Sequence, residues 1–214
     1  MHKSPYQAFC YHGPMKVLFL RHGQTATNVA AKVHRKNDES PLDKVGISQA
    51  HKLAIACFAE GVQQLYCSPE KRARQTADII GAQLGLKAVA LEELGERDWG
   101  NWSDKPWTEI QSKLEKLSVT ERYEFVPPKG ESWQAMDRRL EIAVERIQSS
   151  NSPVMAVVMH GGALRALMPL LKGEAKETSF NYDFKNASIT SFEYESGSWT
   201  LLRENDLAHL TEEH

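Results

Sequence analysis

The chain has 214 residues, 41% hydrophobic and 25% charged, with a formal net charge of −2. These values fit one globular domain with a full core, and they give no global attraction to nucleic acid or an anionic membrane. No apolar stretch reaches a membrane-spanning length, the start lacks a signal-peptide core, and Cys10, Cys57 and Cys67 read as reduced packing residues. A cytoplasmic protein without nucleic-acid or membrane partners is expected, its oligomeric state left open.

Residues 1–14 show no periodicity and read as an N-terminal extension to a single domain over 15–214. Val17-Leu18-Phe19-Leu20 is a short apolar run that stops at Arg21-His22-Gly23, which predicts a buried strand. Moderate helix character follows over Thr27 to Lys32, then a polar loop over Asn37 to Pro41. A helical pattern from Ser48 turns Leu53, Ala54, Cys57 and Phe58 inward and stops at Gly61. Gln64 to Cys67 reads as a strand, and Ser68-Pro69 as the cap and first position of a helix closed by Gly85. Lys87 to Leu91 is another strand candidate.

The stretch 92–130 is irregular and rich in Trp, Pro and charge, with a helix predicted from Pro106 to about Leu117. It reads as a lid-like insertion over the strand ends. Glu131 to Ser149 is amphipathic, with Met136, Leu140, Ala143, Val144 and Ile147 at helical spacing. A strand over Val154 to Met159, a helix over Gly162 to Leu171 and a hairpin turning at Ser196-Gly197-Ser198 complete the chain. Alternating strands and helices predict an α/β fold, a three-layer α/β/α sandwich with a mainly parallel central sheet.

Open sheets of this kind place ligands beyond the carboxyl ends of their strands. There the layout gathers Arg21 and His22, then His160 and Gly161 after the later strand, and Glu96 from the irregular stretch. Arg72 and Arg74 follow the second strand two residues apart; they cannot share a helix face, so one of them can point inward. An arginine fork, two imidazoles, a carboxylate and glycine-flanked amides suit a phosphoryl group. Neutral imidazole can attack phosphorus to give a phosphohistidine, while a carboxylic acid protonates the departing alkoxide and later activates water. No Asp/Glu/His cluster has Mg²⁺ or Zn²⁺ spacing, so neither metal nor cofactor is expected.

Leu20-Arg21-His22-Gly23-Gln24-Thr25, with Asn28 three residues on, resembles the signature of the histidine phosphatase superfamily, which includes the cofactor-dependent phosphoglycerate mutases. Ser68-Pro69-x-x-Arg72-Ala73, Leu94-x-Glu96 with Gly100 and Trp102, and Met159-His160-Gly161-Gly162 resemble its other motifs, in order. The resemblance implies that His22 is the phosphorylated nucleophile and Glu96 the proton donor and acceptor. It also implies that Arg21, Arg72 and His160 clamp the phosphoryl oxygens, that Asn28 lines their pocket with Gly161, and that Arg72 rather than Arg74 points inward.

The mutases are similar but usually longer, with a basic lid; here the region holds Trp99, Trp102, Trp107, Pro127 and Pro128, with no paired arginines. Gly130-Glu131-Ser132 and Asn186-Ala187-Ser188-Ile189 resemble the phosphatase branch, including α-ribazole phosphatases and broad-specificity phosphomonoesterases. Ser103-Asp104 departs from that branch's usual Glu-Gly, and Ala26 stands where mutases usually carry glutamate. The expectation is a metal-independent phosphomonoesterase acting on a small phosphate ester, with α-ribazole 5′-phosphate as a candidate. A phosphoglycerate mutase and a catalytically inactive phosphate-binding domain are the alternatives.

The other histidines (His2, His12, His34, His51, His209 and His214) are expected to be solvated, and Arg138-Arg139 to lie on a polar helix face. The tryptophans either pack the insertion down or line the pocket. Glu131 is either a cap or first-turn charge or a proton-transfer group.

Overall fold

The structure, a computed structural model, describes residues 13–211. Most of the expected extension over 1–14, with His2, Cys10 and His12, lies outside the described residues, as does His214.

The first apolar run forms strand β1 (Met15–Arg21), with Val17 to Leu20 fully buried. A strand apolar at every position must be covered on both faces, and β1 lies inside a six-stranded sheet. The other strands are β2 (Gln64–Cys67), β3 (Val89–Ala90), β4 (Val154–Met159), β5 (Ile189–Glu195) and β6 (Ser198–Asp206), in the order β3-β2-β4-β1-β5-β6. The first four of that order run parallel, while β5 is antiparallel to β1 and β6 to β5. The β5–β6 turn has Ser196 at φ 51° and Gly197 at φ 85°, the left-handed pair that a tight hairpin needs.

Successive residues of the central strands feed two separate cores. Leu18, Leu20, Leu65, Ala156 and Val158 pack on helices α2 (Lys44–Ala59) and α3 (Lys71–Leu84). Val17, Phe19, Met155 and Val157 pack on α6 (Trp133–Gln148) and α7 (Gly161–Lys172). The expected three layers are therefore present, around a mixed sheet. Shorter helices α1 (Ala26–Val29), α4 (Trp107–Leu114), α5 (Val119–Glu124) and α8 (Ala208–Thr211) complete the chain.

Several boundaries differ from expectation, each for a local reason. Helix α2 begins before Ser48 because the Asp43 side chain accepts from Gly46 N at 2.8 Å. Phe58, expected inward, is exposed on its outer side. Ser68-Pro69 does not cap α3: the N-cap is Glu70, and the Ser68 hydroxyl is engaged with Glu70 and His160 instead. The helix expected over Pro106 to about Leu117 is α4, which ends at Leu114, and beyond it a capping box of Ser118 and Glu121 starts α5, which was not expected. Cys57 and Cys67 are buried free thiols, and no helix among the described residues is long and apolar enough to cross a membrane.

Helix α5 is tied to α6 by a buried bond, the Tyr123 hydroxyl donating to Asp137 at 2.6 Å. Burial pushes the Asp137 carboxyl up to about 6, against the lowering effect of that bond and of Lys176. The folded value lies above that of an unfolded aspartate. The stabilisation is therefore complete below about pH 4 and is lost as pH rises through 6. Between pH 4 and 6.5, urea unfolding should show the protein losing stability relative to Asp137→Asn, by at most about 1.4 kcal/mol per pH unit. Parallel stability curves for the two proteins would contradict this assignment.

Candidate active site

Parallel pairing of β1 with β4 sets Arg21 opposite Met159, and His22 N extends the ladder to Met159 O at 3.0 Å. His22 and His160 therefore leave the sheet side by side, with ring centroids 5.1 Å apart. His22 Nδ1 lies 2.7 Å from the Gly23 carbonyl, which can only accept, so the proton sits on Nδ1 and Nε2 keeps its lone pair. Burial, then the charges of Arg72, His160 and Arg21, drive the His22 pKa well below its ordinary value. The ring is held neutral. Gly23 is required where it stands, because a Cβ there would lie 2.4 Å from the Gly46 carbonyl of α2.

Arg72, in the first turn of α3, is fully buried and brings Nε to 3.3 Å from His22 Nε2. Its Nη1 and Nη2, the Nε of Arg21 and the Nδ1 of His160 are buried without a hydrogen-bond partner. Buried polar atoms are nearly always satisfied, so three unpartnered guanidinium donors beside two imidazoles mark an anion site. Arg21 is oriented by a bond from Nη1 to the Phe184 carbonyl. Arg74 instead points outward, 3.6 Å from Glu39. The inward arginine is Arg72.

The Glu96 carboxylate accepts from Gly162 N at 3.0 Å and Arg97 N at 2.9 Å. Adding a Cβ to Gly162 would place it 2.3 Å from Glu96 Oε1, and one on Gly161 would lie 3.2 Å from Arg21 Nε. Both glycines are therefore points of close approach. Burial pushes the Glu96 pKa up, but His160, the two backbone N–H groups and Arg72 outweigh it and leave the group below its usual range. Asn28 belongs to the α1 capping box with Thr25, and its side-chain oxygen also accepts from Asn186 at 3.1 Å.

Residues that sequence reasoning passed over hold this arrangement. Glu70 accepts from Glu96 N at 3.1 Å through one oxygen and lies 3.0 Å from His160 Nε2 through the other. Arg139, expected on a solvated helix face, donates to the carbonyls of Glu93, Gly95 and Glu96 and pairs with Glu131 at 2.6 Å. Glu131 also accepts from Asp98 N, while the α6 cap is Ser132; Glu131 is thus part of a clamp. His34 is buried, not solvated, with Nδ1 2.8 Å from Asp38 and Nε2 3.1 Å from Thr25 Oγ. Burial and Arg72 lower its pKa to about 4. The spacing of His34 and Asp38, one helical turn apart in sequence, was the available signal. His51 is exposed as expected, whereas His209 on α8 is half-buried.

A cavity of about 510 Å³ opens over Arg21, His22, Asn28 and Glu96. Its far wall includes Trp99, Trp107, Trp133, Arg97 and Arg165. The guanidinium of Arg97 stacks on Trp99 at 4.4 Å, so part of the wall is both flat and cationic. Trp102 packs against Phe125 and lies outside that lining. Asp104 takes a positive φ of 64° and pairs with Arg35 at 2.5 Å, tying the wall to the segment after α1. Among the described residues, no group of three or more His, Cys, Asp or Glu could hold a metal ion.

Residues 17–207 match the family model of the histidine phosphatase superfamily (branch 1), and the chain belongs to that family. A Hydrogenobacter thermophilus protein named as a phosphoserine phosphatase is 33% identical over 201 residues, covering 91% of this chain and 98% of its own. A Yersinia pestis protein named as a phosphoglycerate mutase, GpmB, is 28% identical over 209 residues, covering 92% and 95%. A mycobacterial glucosyl-3-phosphoglycerate phosphatase solved with VO3 superposes with a TM-score of 0.77 at 26% identity, over 87% of this chain and 96% of that one.

The clamp generates an expectation of its own. Arg139→Met should cost about 2 kcal/mol, since it strips charged donors from partly buried partners. It should also lower turnover of p-nitrophenyl phosphate by releasing the Glu96 loop. Urea unfolding and initial rates check both, and unaltered values on both would contradict the clamp.

Proposed function

We propose that this member of the histidine phosphatase superfamily is a metal-independent phosphomonoesterase that works through a phosphohistidine on His22. The observation that carries the reading is the set of unpartnered buried nitrogens of Arg21, Arg72 and His160 around a neutral His22 whose Nε2 keeps its lone pair, met in the free site by Arg72 Nε at 3.3 Å. Substrate binding sets three equatorial oxygens among those donors, with Asn28 and the Gly161 backbone completing the pocket. Nε2 then forms a bond to phosphorus as the bond to the ester oxygen breaks.

Glu96 supplies the proton that the departing alkoxide needs. Its pKa is low in this structure because of nearby cations, and a bound phosphoryl dianion offsets those cations and raises it. In the second half-reaction the Glu96 carboxylate takes a proton from water. The water oxygen bonds to phosphorus, the Nε2–P bond breaks, and inorganic phosphate leaves with Glu96 protonated again.

The segment 92–130 is, on this reading, a lid-like wall that contacts the substrate's organic part through Trp99 and Trp107. It lacks a paired-arginine lid to exclude water, which favours hydrolysis over return of the phosphoryl group to a hydroxyl. The mutase reading rests on the GpmB relative. Candidate substrates are α-ribazole 5′-phosphate, by resemblance, and the phosphoserine and glucosyl-3-phosphoglycerate named for relatives.

His22→Ala should abolish turnover of p-nitrophenyl phosphate, and Glu96→Gln should lower kcat roughly 100-fold with a smaller effect for leaving groups that need no proton. Retained turnover in His22→Ala would overturn the mechanism. Conversion of 3- to 2-phosphoglycerate that depends on 2,3-bisphosphoglycerate, faster than any phosphate release, would favour the mutase.

A further inference from the structure

Glu70 is a carboxylate buried at the heart of the site, and the mechanism above gives it no task. It stands at the N-cap of α3 but makes no side-chain bond to the helix. One oxygen accepts from Glu96 N at 3.1 Å. The other meets the Ser68 hydroxyl and lies 3.0 Å from His160 Nε2. His160 and Glu70 are both sealed from solvent, with side-chain exposures of 0% and 2%. Such a pair tolerates burial only if the hydrogen bond is made and the charges offset one another.

We propose that Glu70 is a positioning residue that holds the proton on His160 Nε2 and turns Nδ1 into a cationic donor to the bound phosphoryl group. The inference rests on the reading of the site as a phosphate site. The Ser68 hydroxyl spends its proton on Glu70 and so accepts from His160 Nε2 at 2.7 Å, and a carboxylate only accepts; the two contacts assign the Nε2–H tautomer to His160 and leave Nδ1, buried and unpartnered, on the opposite edge of the ring. A neutral ring of that tautomer would offer a lone pair to a phosphoryl oxygen, and the contact would be repulsive. Binding therefore needs a second proton on Nδ1, and Glu70 is the counter-charge that stabilises the resulting imidazolium.

The surroundings set the window. Burial and Arg72 lower the His160 pKa, while Glu70 and Glu96 raise it; His22 faces the ring and His34 lies beyond His22, both held neutral. In the free protein the ring is thus neutral near pH 7, and an arriving dianion draws in the proton. Glu70 and Glu96, but not His160, also border a separate cavity of about 290 Å³.

The test is isothermal titration calorimetry with inorganic phosphate, on the full-length protein and on Glu70→Gln, in two buffers of different ionisation enthalpy. Phosphate's own titration is common to both proteins, so the difference between them isolates the ring. The expected result near pH 7 is proton uptake larger in the unaltered protein by close to one, with phosphate binding roughly tenfold weaker in Glu70→Gln. Equal uptake by both proteins would overturn the proposal, even if Glu70→Gln turns over slowly. If that variant does not fold, ¹⁵N spectra of histidine-labelled unaltered protein, with His160 assigned by its loss in His160→Gln, decide the question. The proton on Nε2 in the free protein and on both nitrogens with phosphate is expected, and a proton on Nδ1 alone would overturn it. An unaltered protein that binds no phosphate would overturn the site assignment and this inference together, whatever the turnover of His22→Ala.

Discussion

The parallel register of β1 on β4 is the constraint from which the site follows. Because Arg21 pairs opposite Met159, the chain leaves the sheet with His22 and His160 as neighbours at one edge. A slip of one residue would reverse the facing of every side chain on β1, exchanging the Leu18–Leu20 core for the Val17–Phe19 core. Two apolar layers on opposite faces therefore fix the position of two polar residues beyond them. The site is positioned by packing it does not touch.

That placement concentrates positive charge in a dry region. Arg72 lies close enough to both imidazoles to lower their tendency to hold a proton, and Arg21 adds to this at His22. Unbalanced, this would be strongly destabilising. Glu70 and Glu96 supply opposite charge, and they are bonded to each other's segments through Glu96 N. Arg139 and Glu131 then fasten that segment to α6 from outside. Anion binding and fold stability thus draw on the same set of charges.

Much of this could be read from the sequence. Unbroken apolar runs gave β1 and β4, and abrupt polar residues at their ends gave Arg21, His22 and His160, because a buried strand that stops at charge must stop at an edge. The choice of Arg72 over Arg74 needed the family motif, since two residues of spacing leave either possible. Glu70 and Arg139 were not legible as site residues. A single charge in a polar helix turn looks the same whether it meets water or a partner, and their partners, Glu96 and His160 for one and Glu93 to Glu96 for the other, are remote in sequence. The division between α4 and α5 was legible in principle, as Ser118 and Glu121 carry the spacing of a capping box.

The clamp of Arg139 on the carbonyls of Glu93, Gly95 and Glu96 divides the long connection between β3 and α6 into two parts of different tolerance. Upstream of Asp98 the backbone is pinned around the Glu96 carboxylate. Downstream, Trp99 and Trp107 line the cavity, and Arg97 links the two parts by stacking on Trp99 and donating to the Phe125 carbonyl at 2.8 Å. Substitutions in the downstream part that spare Trp99 and the Phe125 carbonyl can reshape what the cavity accepts while leaving Glu96 in register. For a lineage of such proteins, this separation makes a change of diet a matter of a few side chains, with the chemistry inherited intact.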